Sequence, residues 1–173
     1  MNFRHKNIRL PAARYRGEYW HFITICCDDR HPIFADPVRA CWIIDQLGQQ
    51  AASHSFAVHA YCVMPDHLHA LIMGSDANSN LLVFVKKLKQ KTGYDFRKSA
   101  HRTLWQKKFY DHILRQDDSV SRVAAYIWMN PVRKEICRDP CEYPHSGSFV
   151  LDWKNDRVPN NPWIPPWKSN PPA

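Results

Sequence analysis

The sequence has no apolar run long enough to cross a membrane, and its N-terminus carries no apolar core of a signal peptide. These absences argue against a membrane-spanning or exported protein, and we expect a cytoplasmic one. No internal repeat is visible. With 173 residues, 45% of them hydrophobic, the chain is long enough to build one core, so the simplest organisation is a single domain.

None of the six cysteines forms a CxxC pair, and a chain without an export signal keeps its thiols reduced. The spacing Cys137-x3-Cys141-x3-His145 offers three zinc ligands, but no fourth ligand is evident. The sequence therefore favours unpaired thiols that act as small hydrophobic residues over a zinc site.

Low-complexity sequence is confined to the end of the chain, "VPNNPWIPPWKSNPPA", which is rich in proline and asparagine. Proline lacks the N–H that regular structure needs. We therefore expect a folded domain over residues 1–157 and an irregular tail over 158–173. Trp163 and Trp167 could pack this tail against the domain, or the tail could be loose.

Positive charge is in excess, with a formal net charge of +8 and a pI near 9.3. For a small domain this balance favours a polyanionic partner, either nucleic acid or an anionic membrane surface. Many basic surfaces are merely solvated, so charge alone leaves the two interpretations even.

Hydrophobic patterning predicts an antiparallel sheet with helices on one face, an α+β fold. The two strands over 56–64 and 67–73 are separated only by a Pro-Asp turn, which indicates a hairpin. The third helix begins with capping residues and should end near Pro131, because proline disfavours helical angles in the residue before it. The predicted elements are strands over 19–29, 56–64 and 67–73, helices over 37–54, 80–99 and 117–136, and a strand with a loop within 103–116.

The stretch "YCVMPDHLHALIMG" places two histidines in an otherwise apolar strand. Side chains alternate along a strand, so His67 and His69 share one face while Leu68 and Ala70 take the other. Two imidazoles a few ångströms apart are either a metal or phosphate site or a costly arrangement without a function. Asp66 could orient a ligating imidazole, although a turn residue after proline is the simpler interpretation.

In the third predicted helix, Arg122, Tyr126 and Asn130 form one stripe at i, i+4 and i+8. A tyrosine in mid-helix is usually a packing residue. As a nucleophile it would need activation, because a phenol with a pKa near 10 is only about 0.1% ionised at neutral pH. A divalent ion held by two imidazoles and a third neutral ligand would activate the phosphate instead, and Asn130 is placed to be that ligand. Imidazole and amide ligands suit manganese and, less naturally, magnesium.

Three blocks of the sequence together resemble a known family. "MPDHLHALI", "WQKKFYDHILR" and "AAYIWMNPVRKEI" resemble the small bacterial HUH transposases, in particular the REP-associated tyrosine transposases. The order and spacing of all three blocks match, and the resemblance runs from about residue 15 to about residue 150. A His-x-His pair alone is weak evidence, whereas the three blocks in order are specific.

The resemblance implies a ferredoxin-like antiparallel sheet and an endonuclease and strand transferase that cleaves and rejoins single-stranded DNA at palindromic, REP-like hairpins. Tyr126 would be the nucleophile that forms a 5′-phosphotyrosine link, and His67, His69 and Asn130 would bind Mg²⁺ or Mn²⁺. A covalent intermediate conserves the phosphodiester energy, so no nucleotide cofactor is expected. The implied protein is a monomer or homodimer in the bacterial cytoplasm, associated with the nucleoid.

DNA contacts are expected from a basic, aromatic-rich surface, because bases stack on rings and phosphates meet Lys and Arg. An ordinary solvated face explains the lysines of the second helix equally well. His112 could be a base or a phosphate ligand, although a structural histidine is the simpler interpretation. The DNA-binding candidates are Arg122, Lys86, Lys87, Lys89, Lys91, Trp105, Phe109, Tyr110 and Arg115.

Two other functions and four other tyrosines remain as alternatives. A DNA-binding protein of the same fold could have lost catalysis, or an unrelated metal hydrolase could use Asp111 and His112 as further ligands. Retention of both histidines, the tyrosine and the asparagine argues against the first, and the tyrosine block argues against the second. The competing nucleophiles, none of which occupies the matching family position, are Tyr61, Tyr94, Tyr110 and Tyr143.

Overall fold

The computed structural model describes residues 11–155 and 163–166. Within them a five-stranded antiparallel sheet has the order β4-β1-β3-β2-β5. Strands β2 and β3 form the expected hairpin across the Pro-Asp turn. The strands are β1 (Trp20–Cys26), β2 (Phe56–Met64), β3 (His67–Gly74), β4 (Tyr110–Ile113) and β5 (Ser146–Gly147).

In the described ranges four α-helices accompany the sheet, and the three long ones begin at capping side chains. The Asp36 carboxylate accepts from the Val38 N–H, and the Asn80 amide oxygen accepts from two N–H groups of the first turn that follows it. The helices are α1 (Pro37–Ser53), α2 (Leu81–Ala100), α3 (Val120–Trp128) and the single turn α4 (Asn130–Arg133). The α+β class predicted from the sequence is confirmed.

The helices cover both faces of the sheet, so the expectation that they lie on one face is wrong. Helices α1 and α2 pack on the face that carries Ile23, Leu68 and Ala70. Helix α3 packs on the opposite face, against Phe22 and Leu71. The central strands are apolar on both faces, and each face needs a covering layer to remove that surface from water.

A β-bulge in β2 changes which residues face each helical layer. The register shifts between Val58 and Ala60. Val58 belongs to the α1/α2 core, whereas Cys62 and Met64 belong to the α3 core. A bulge inserts one extra residue and so reverses the alternation beyond it. Because of this bulge, the end of β2 presents sulfur side chains to the α3 face.

The third helix ends close to the predicted position, but a further short helix follows almost at once. Helix α3 ends at Trp128, and Pro131 stands near the start of the short helix α4. Proline is tolerated in a first turn, where its missing N–H would have no partner within the helix. Asn130 therefore lies just beyond the break, one turn from Tyr126.

Trp163, from the predicted tail, is buried in the α3 core and is only 6% exposed. Trp167 and the expected boundary between residues 157 and 158 lie outside the described residues. None of the helices in the described ranges is long and apolar enough to span a membrane.

His21 is a buried histidine whose ring nitrogens both lack hydrogen-bond partners among the described residues. It is fully buried, and its ring meets that of Phe56 edge-on at 6.3 Å. Burial lowers the pKa of His21 from 6.5 to about 4, because the apolar surroundings disfavour the charged imidazolium.

We expect the free energy of unfolding to fall by up to about 3 kcal/mol as the pH drops from 6.5 towards 4. In that window the unfolded chain binds a proton at His21 that the folded chain excludes. Denaturant titrations at pH 7 and pH 4.5 measure the loss. His21→Leu, which needs no hydrogen bond, should lose less stability over the same interval. Equal losses in the two proteins would contradict this assignment.

Candidate active site

The two histidines of β3 meet on the α3 face of the sheet, as their spacing predicts. The Nε2 atoms of His67 and His69 are 3.0 Å apart. Their rings are nearly perpendicular, with centroids 4.5 Å apart. His69 is 9% exposed. Both imidazoles therefore direct the same nitrogen to one point.

The other nitrogen of each ring is held by a neighbouring side chain. The Asp66 carboxylate lies 2.5 Å from Nδ1 of His67 and also pairs with Arg30 at 3.2 Å. The Thr24 hydroxyl lies 2.8 Å from Nδ1 of His69. A carboxylate only accepts hydrogen bonds, so the hydrogen of a neutral His67 sits on Nδ1 and its Nε2 lone pair faces the site.

The charge state of His67 also suits a metal ligand. Burial lowers the pKa of His67 below its ordinary value, although hydrogen bonding and charge from Asp66 oppose that effect. The imidazole is therefore neutral at pH 7, which is the form that coordinates metals.

The spacing of the two nitrogens fits one octahedral ion. Two bonds of about 2.1 Å at a right angle would separate the ligand atoms by about 3.0 Å. In the described part of the chain, no group of three or more His, Cys, Asp or Glu side chains is arranged so that it could hold a metal ion. A third protein ligand would therefore have to be of another type, such as an amide. The same result leaves the Cys137, Cys141 and His145 set without support as a zinc site.

Asn130 is a buried amide whose orientation is set by the helix. Its Nδ2 donates to the backbone oxygens of Tyr126 and Ile127 at 3.2 and 3.1 Å. The residue is 7% exposed. Because the nitrogen is engaged by these carbonyls, the oxygen Oδ1 is the atom turned away from them.

The Tyr126 ring lies on the same face as the histidine pair and is held by contacts on several sides. Phe22 contacts both groups, with its ring centroid 6.2 Å from that of Tyr126 and 5.5 Å from that of His69. The Arg133 guanidinium stacks 4.0 Å from the Tyr126 ring centroid and donates to its backbone oxygen at 2.8 Å. The histidine pair and Tyr126 of the candidate active site therefore both come from one subunit.

Trp163 brings the predicted tail into contact with this face. Its ring meets that of Tyr126 edge-on at 5.4 Å, and its Nε1 donates to Asp118 at 2.9 Å. Asp118 also lies 3.1 Å from Nε2 of His112. Burial opposes ionisation of Asp118, but hydrogen bonds from the Arg115 N–H, Trp163 and His112 keep its pKa below the ordinary value. These bonds fit the structural interpretation of His112.

The competing tyrosines differ in their surroundings. Tyr143 donates its hydroxyl to the Val63 backbone oxygen at 2.8 Å. Tyr61 belongs to the core on the opposite face, and Tyr94 lies exposed on α2. Tyr110 pairs with Thr24 across β4 and β1, and its ring meets that of Phe22, so it shares the face of the histidine pair. Burial, followed by the charges of Asp111 and Tyr126, raises the pKa of Tyr110.

The aromatic DNA-binding candidates are only partly accessible. Trp105 is 6% exposed, and its Nε1 donates to the Thr92 hydroxyl at 2.8 Å, so its ring belongs to the core. Phe109 is half-buried against the same core. Tyr110 is 39% exposed and is the one aromatic residue of this set with much of its ring in solvent.

The basic DNA-binding candidates differ in whether their side chains are already engaged within the protein. Lys89 donates to the backbone oxygens of Gln106 and Lys107 at 2.7 and 2.9 Å, so its ammonium anchors a loop. Lys91 pairs with Asp95 on α2. The remaining basic candidates are half-buried Arg122 and exposed Arg115, Lys86 and Lys87.

Four side chains that contact the site were not assigned to it from the sequence: Phe22, Thr24, Arg133 and Trp163. The Thr24 hydroxyl reaches His69 only because β1 pairs with β3 in a register that sets the two residues opposite each other. Alternation along β1 could have placed Thr24 on one face, but not beside His69. Packing of Trp163 against the domain was one of two expectations for the tail, but its contact with Tyr126 was not foreseen, and nothing in the sequence indicated the contact of Arg133.

The chain matches the family described as "Transposase IS200 like" over residues 15–130, more than half of its length. A Haemophilus influenzae protein provisionally named a REP-associated tyrosine transposase is 27% identical over 178 residues, covering 92% of this chain and 95% of that protein. The Escherichia coli K12 REP-associated tyrosine transposase is 21% identical over 109 residues, covering 58% of this chain and 64% of the relative.

A solved structure of a REP-associated tyrosine transposase bound to a REP hairpin has the same fold. The TM-score is 0.66 at 18% identity, and the match covers 81% of each chain. Together with the family match, this confirms the α+β architecture and the resemblance noted in the sequence. The chain therefore belongs to the IS200-like transposase family and is related to the REP-associated tyrosine transposases.

Proposed function

We propose that this protein is a metal-dependent transposase that cleaves and rejoins single-stranded DNA at REP-like hairpins through Tyr126. The observation that carries the proposal is the convergence of the His67 and His69 Nε2 atoms, 3.0 Å apart, on the face that also holds Tyr126. Phe22 contacts both the tyrosine and His69. The relatives named as REP-associated tyrosine transposases support the substrate class.

His67, His69 and Asn130 are the residues that would hold Mg²⁺ or Mn²⁺. When bound, the ion would polarise a phosphate oxygen and so make the phosphorus more open to attack. Asp66 keeps His67 in the tautomer that presents Nε2. Thr24 can do the same for His69, because a hydroxyl can accept the hydrogen of Nδ1.

Tyr126 supplies the nucleophile. Its hydroxyl oxygen forms a bond to the scissile phosphorus, and the bond from phosphorus to the 3′ oxygen breaks. The departing strand keeps a 3′-OH after it takes up a proton, while the 5′ phosphate stays on the tyrosine. Attack by a 3′-OH on this link reverses the step, joins two strands and restores the phenol, so no nucleotide cofactor is required.

The site is built from one chain, which supports action as a monomer. Helix α3, which carries Tyr126, packs on the sheet that carries its own His67 and His69. A dimer that exchanged its tyrosine helices would instead bring Tyr126 to the partner's histidines. The contact of Phe22 with both Tyr126 and His69 makes that exchange unnecessary.

Cleavage of end-labelled DNA tests whether the protein cuts the strand and which of the two fragments becomes linked to it. A single strand containing a REP-like hairpin, labelled at either end, is incubated with the protein and Mn²⁺ and run on a denaturing gel. We expect the 3′-labelled fragment to migrate with the protein and the 5′-labelled fragment to be released with an extendable 3′-OH. Release of the 3′-labelled fragment, or hairpin binding without any cleavage across several substrates, would contradict the proposal.

The contacts to the two Nδ1 atoms should tune metal affinity. We expect Asp66→Asn and Thr24→Val each to weaken Mn²⁺ binding by about 10- to 100-fold, because each removes the partner that fixes an imidazole. Manganese titrations followed by electron paramagnetic resonance measure the dissociation constant. Thr103→Val, at an exposed position, is the matched control. Unchanged affinity in both site variants would exclude these orienting roles.

A further inference from the structure

All of the protein's excess positive charge falls within 23 consecutive residues. Residues 86–108, called here the basic strip, contain nine lysines and arginines and one acid, Asp95, giving a net charge of +8. The other fifteen basic and fifteen acidic residues of the chain cancel. The protein is therefore neutral overall apart from the basic strip, which comprises most of α2 and the loop that follows it.

Most of this charge faces solvent. Lys89 is engaged with two backbone oxygens of the loop. The other basic side chains of the strip are exposed: Lys86, Lys87, Lys91, Arg97, Lys98, Arg102, Lys107 and Lys108. Lys91 pairs with Asp95, and the other seven exposed cations make this segment suited to a polyanion.

The loop part of the strip is fixed to the helix and to the sheet. Lys89 ties α2 to the loop at Gln106, and the Trp105 Nε1 bonds to Thr92 of α2 at 2.8 Å. The Gln106 N–H donates to the Cys26 backbone oxygen at 3.0 Å. The strip is therefore preorganised, so binding a partner costs less ordering of its backbone.

The strip and the histidine pair lie on different layers but at the same end of the sheet. Helix α2 covers the face opposite to His67. The loop nevertheless reaches Cys26, which pairs with His67 across β1 and β3. A polyanion seated on the strip could therefore continue around this end of the sheet to the candidate active site.

The aromatic content of the strip distinguishes between kinds of DNA. Sites for unpaired DNA combine cations with exposed rings on which bases stack. Of the three aromatic residues in the strip, Phe96 and Trp105 are buried, and only Tyr94 is exposed. The Lys98 ammonium covers the Tyr94 ring at 4.5 Å from its centroid. A surface that carries positive charge but few exposed aromatic rings suits duplex DNA, because the bases of a duplex are already stacked on one another.

We propose that the basic strip binds the duplex stem of the hairpin, while the α3 face takes the unpaired DNA. This assignment rests on the proposed function for its substrate. From Lys86 to Lys98 the helix is about 18 Å long, which matches the phosphates of about five base pairs of one strand. Stem binding and strand cleavage would then use separate surfaces of one domain.

A charge-matched pair of variants tests the assignment. The strip variant combines Lys86→Gln, Lys87→Gln, Lys107→Gln and Lys108→Gln. The control combines Arg14→Gln, Arg16→Gln, Arg138→Gln and Lys154→Gln, which are also exposed and leave the same net charge. Fluorescence anisotropy over a salt series measures binding to a blunt hairpin and to an unstructured strand of equal length.

We expect the strip variant to bind the hairpin at least about 10-fold more weakly, with a salt slope smaller by about 3. The control should keep most of its affinity, and the unstructured strand should be affected less than the hairpin. Equal weakening by both variants, or equal weakening on both DNAs, would overturn the assignment. Adduct formation by the unmodified protein is scored separately, so failure of the catalytic proposal would remain distinguishable from failure of this one.

Discussion

Tyr126→Phe should abolish the covalent adduct and lower the rate of DNA cleavage by at least ~10⁴-fold while leaving the fold intact. The substitution removes only the oxygen that attacks phosphorus. A phenylalanine ring can keep the contacts with Phe22, Trp163 and Arg133. Single-turnover cleavage on denaturing gels, together with thermal unfolding, measures the two effects independently.

Tyr110→Phe is the matched control for that experiment. Tyr110 lies on the same face of the sheet and also contacts Phe22, but it is the weaker nucleophile candidate because its raised pKa disfavours the phenolate. We expect this variant to keep the adduct. An adduct that persists in Tyr126→Phe and disappears in Tyr110→Phe would reassign the nucleophile.

The second large effect concerns the histidine pair. His67→Ala and His69→Ala should each lower cleavage by about 10³-fold or more, because each removes one of the two imidazoles that would activate the phosphate through the ion. Hairpin binding should persist, since the proposed stem surface lies on the other layer. Cleavage rates and hairpin affinities in the presence of Mn²⁺ measure the two properties.

Thermal stability gives a readout that does not depend on cleavage. An ion that binds the folded chain raises its melting temperature by mass action. We expect Mn²⁺ to stabilise the unmodified protein and a His101→Asn control, and not the two alanine variants. His101 is exposed with a positive φ of 52°, a conformation that asparagine tolerates. Cleavage by either alanine variant at the rate of the unmodified protein would contradict the metal-ligand assignment.

Local sequence patterns were sufficient to predict the main elements of the fold. The hairpin of β2 and β3 and the long helices α1 and α2 agree with the prediction to within about one residue. The distribution of helices over the two faces was not predictable. Phe22 and Ile23 are adjacent and both buried, so alternation in β1 gives no sign of which face meets which helix. The bulge at residues 58–60 left no signature in the sequence either.

The candidate site shows the same division between local and long-range information. Side-chain alternation placed His67 and His69 on one face, and helical periodicity placed Asn130 one turn from Tyr126. The contacts of Thr24 with His69 and of Trp163 with Asp118 each span 45 residues. Contacts of that separation depend on strand register and chain packing, which local periodicity does not encode.

The aromatic candidates show why a surface could not be inferred from composition. Trp105 belongs to a block that resembles the family and looked suitable for stacking a base. In the structure its ring packs against Phe34, with centroids 5.5 Å apart, and its N–H is bonded to Thr92. The basic strip, in contrast, is visible as a charge count in the sequence, although its rigidity and its position near His67 are not.

The most direct test of the account is to identify the residue that becomes linked to DNA. The unmodified protein is incubated with Mn²⁺ and a single strand carrying a REP-like hairpin, and the adduct is digested and mapped by mass spectrometry. We expect one nucleotide-modified peptide, containing Tyr126 joined to a 5′ phosphate. A modification on Tyr110 or any other residue, or a 3′-phosphate link, would contradict it.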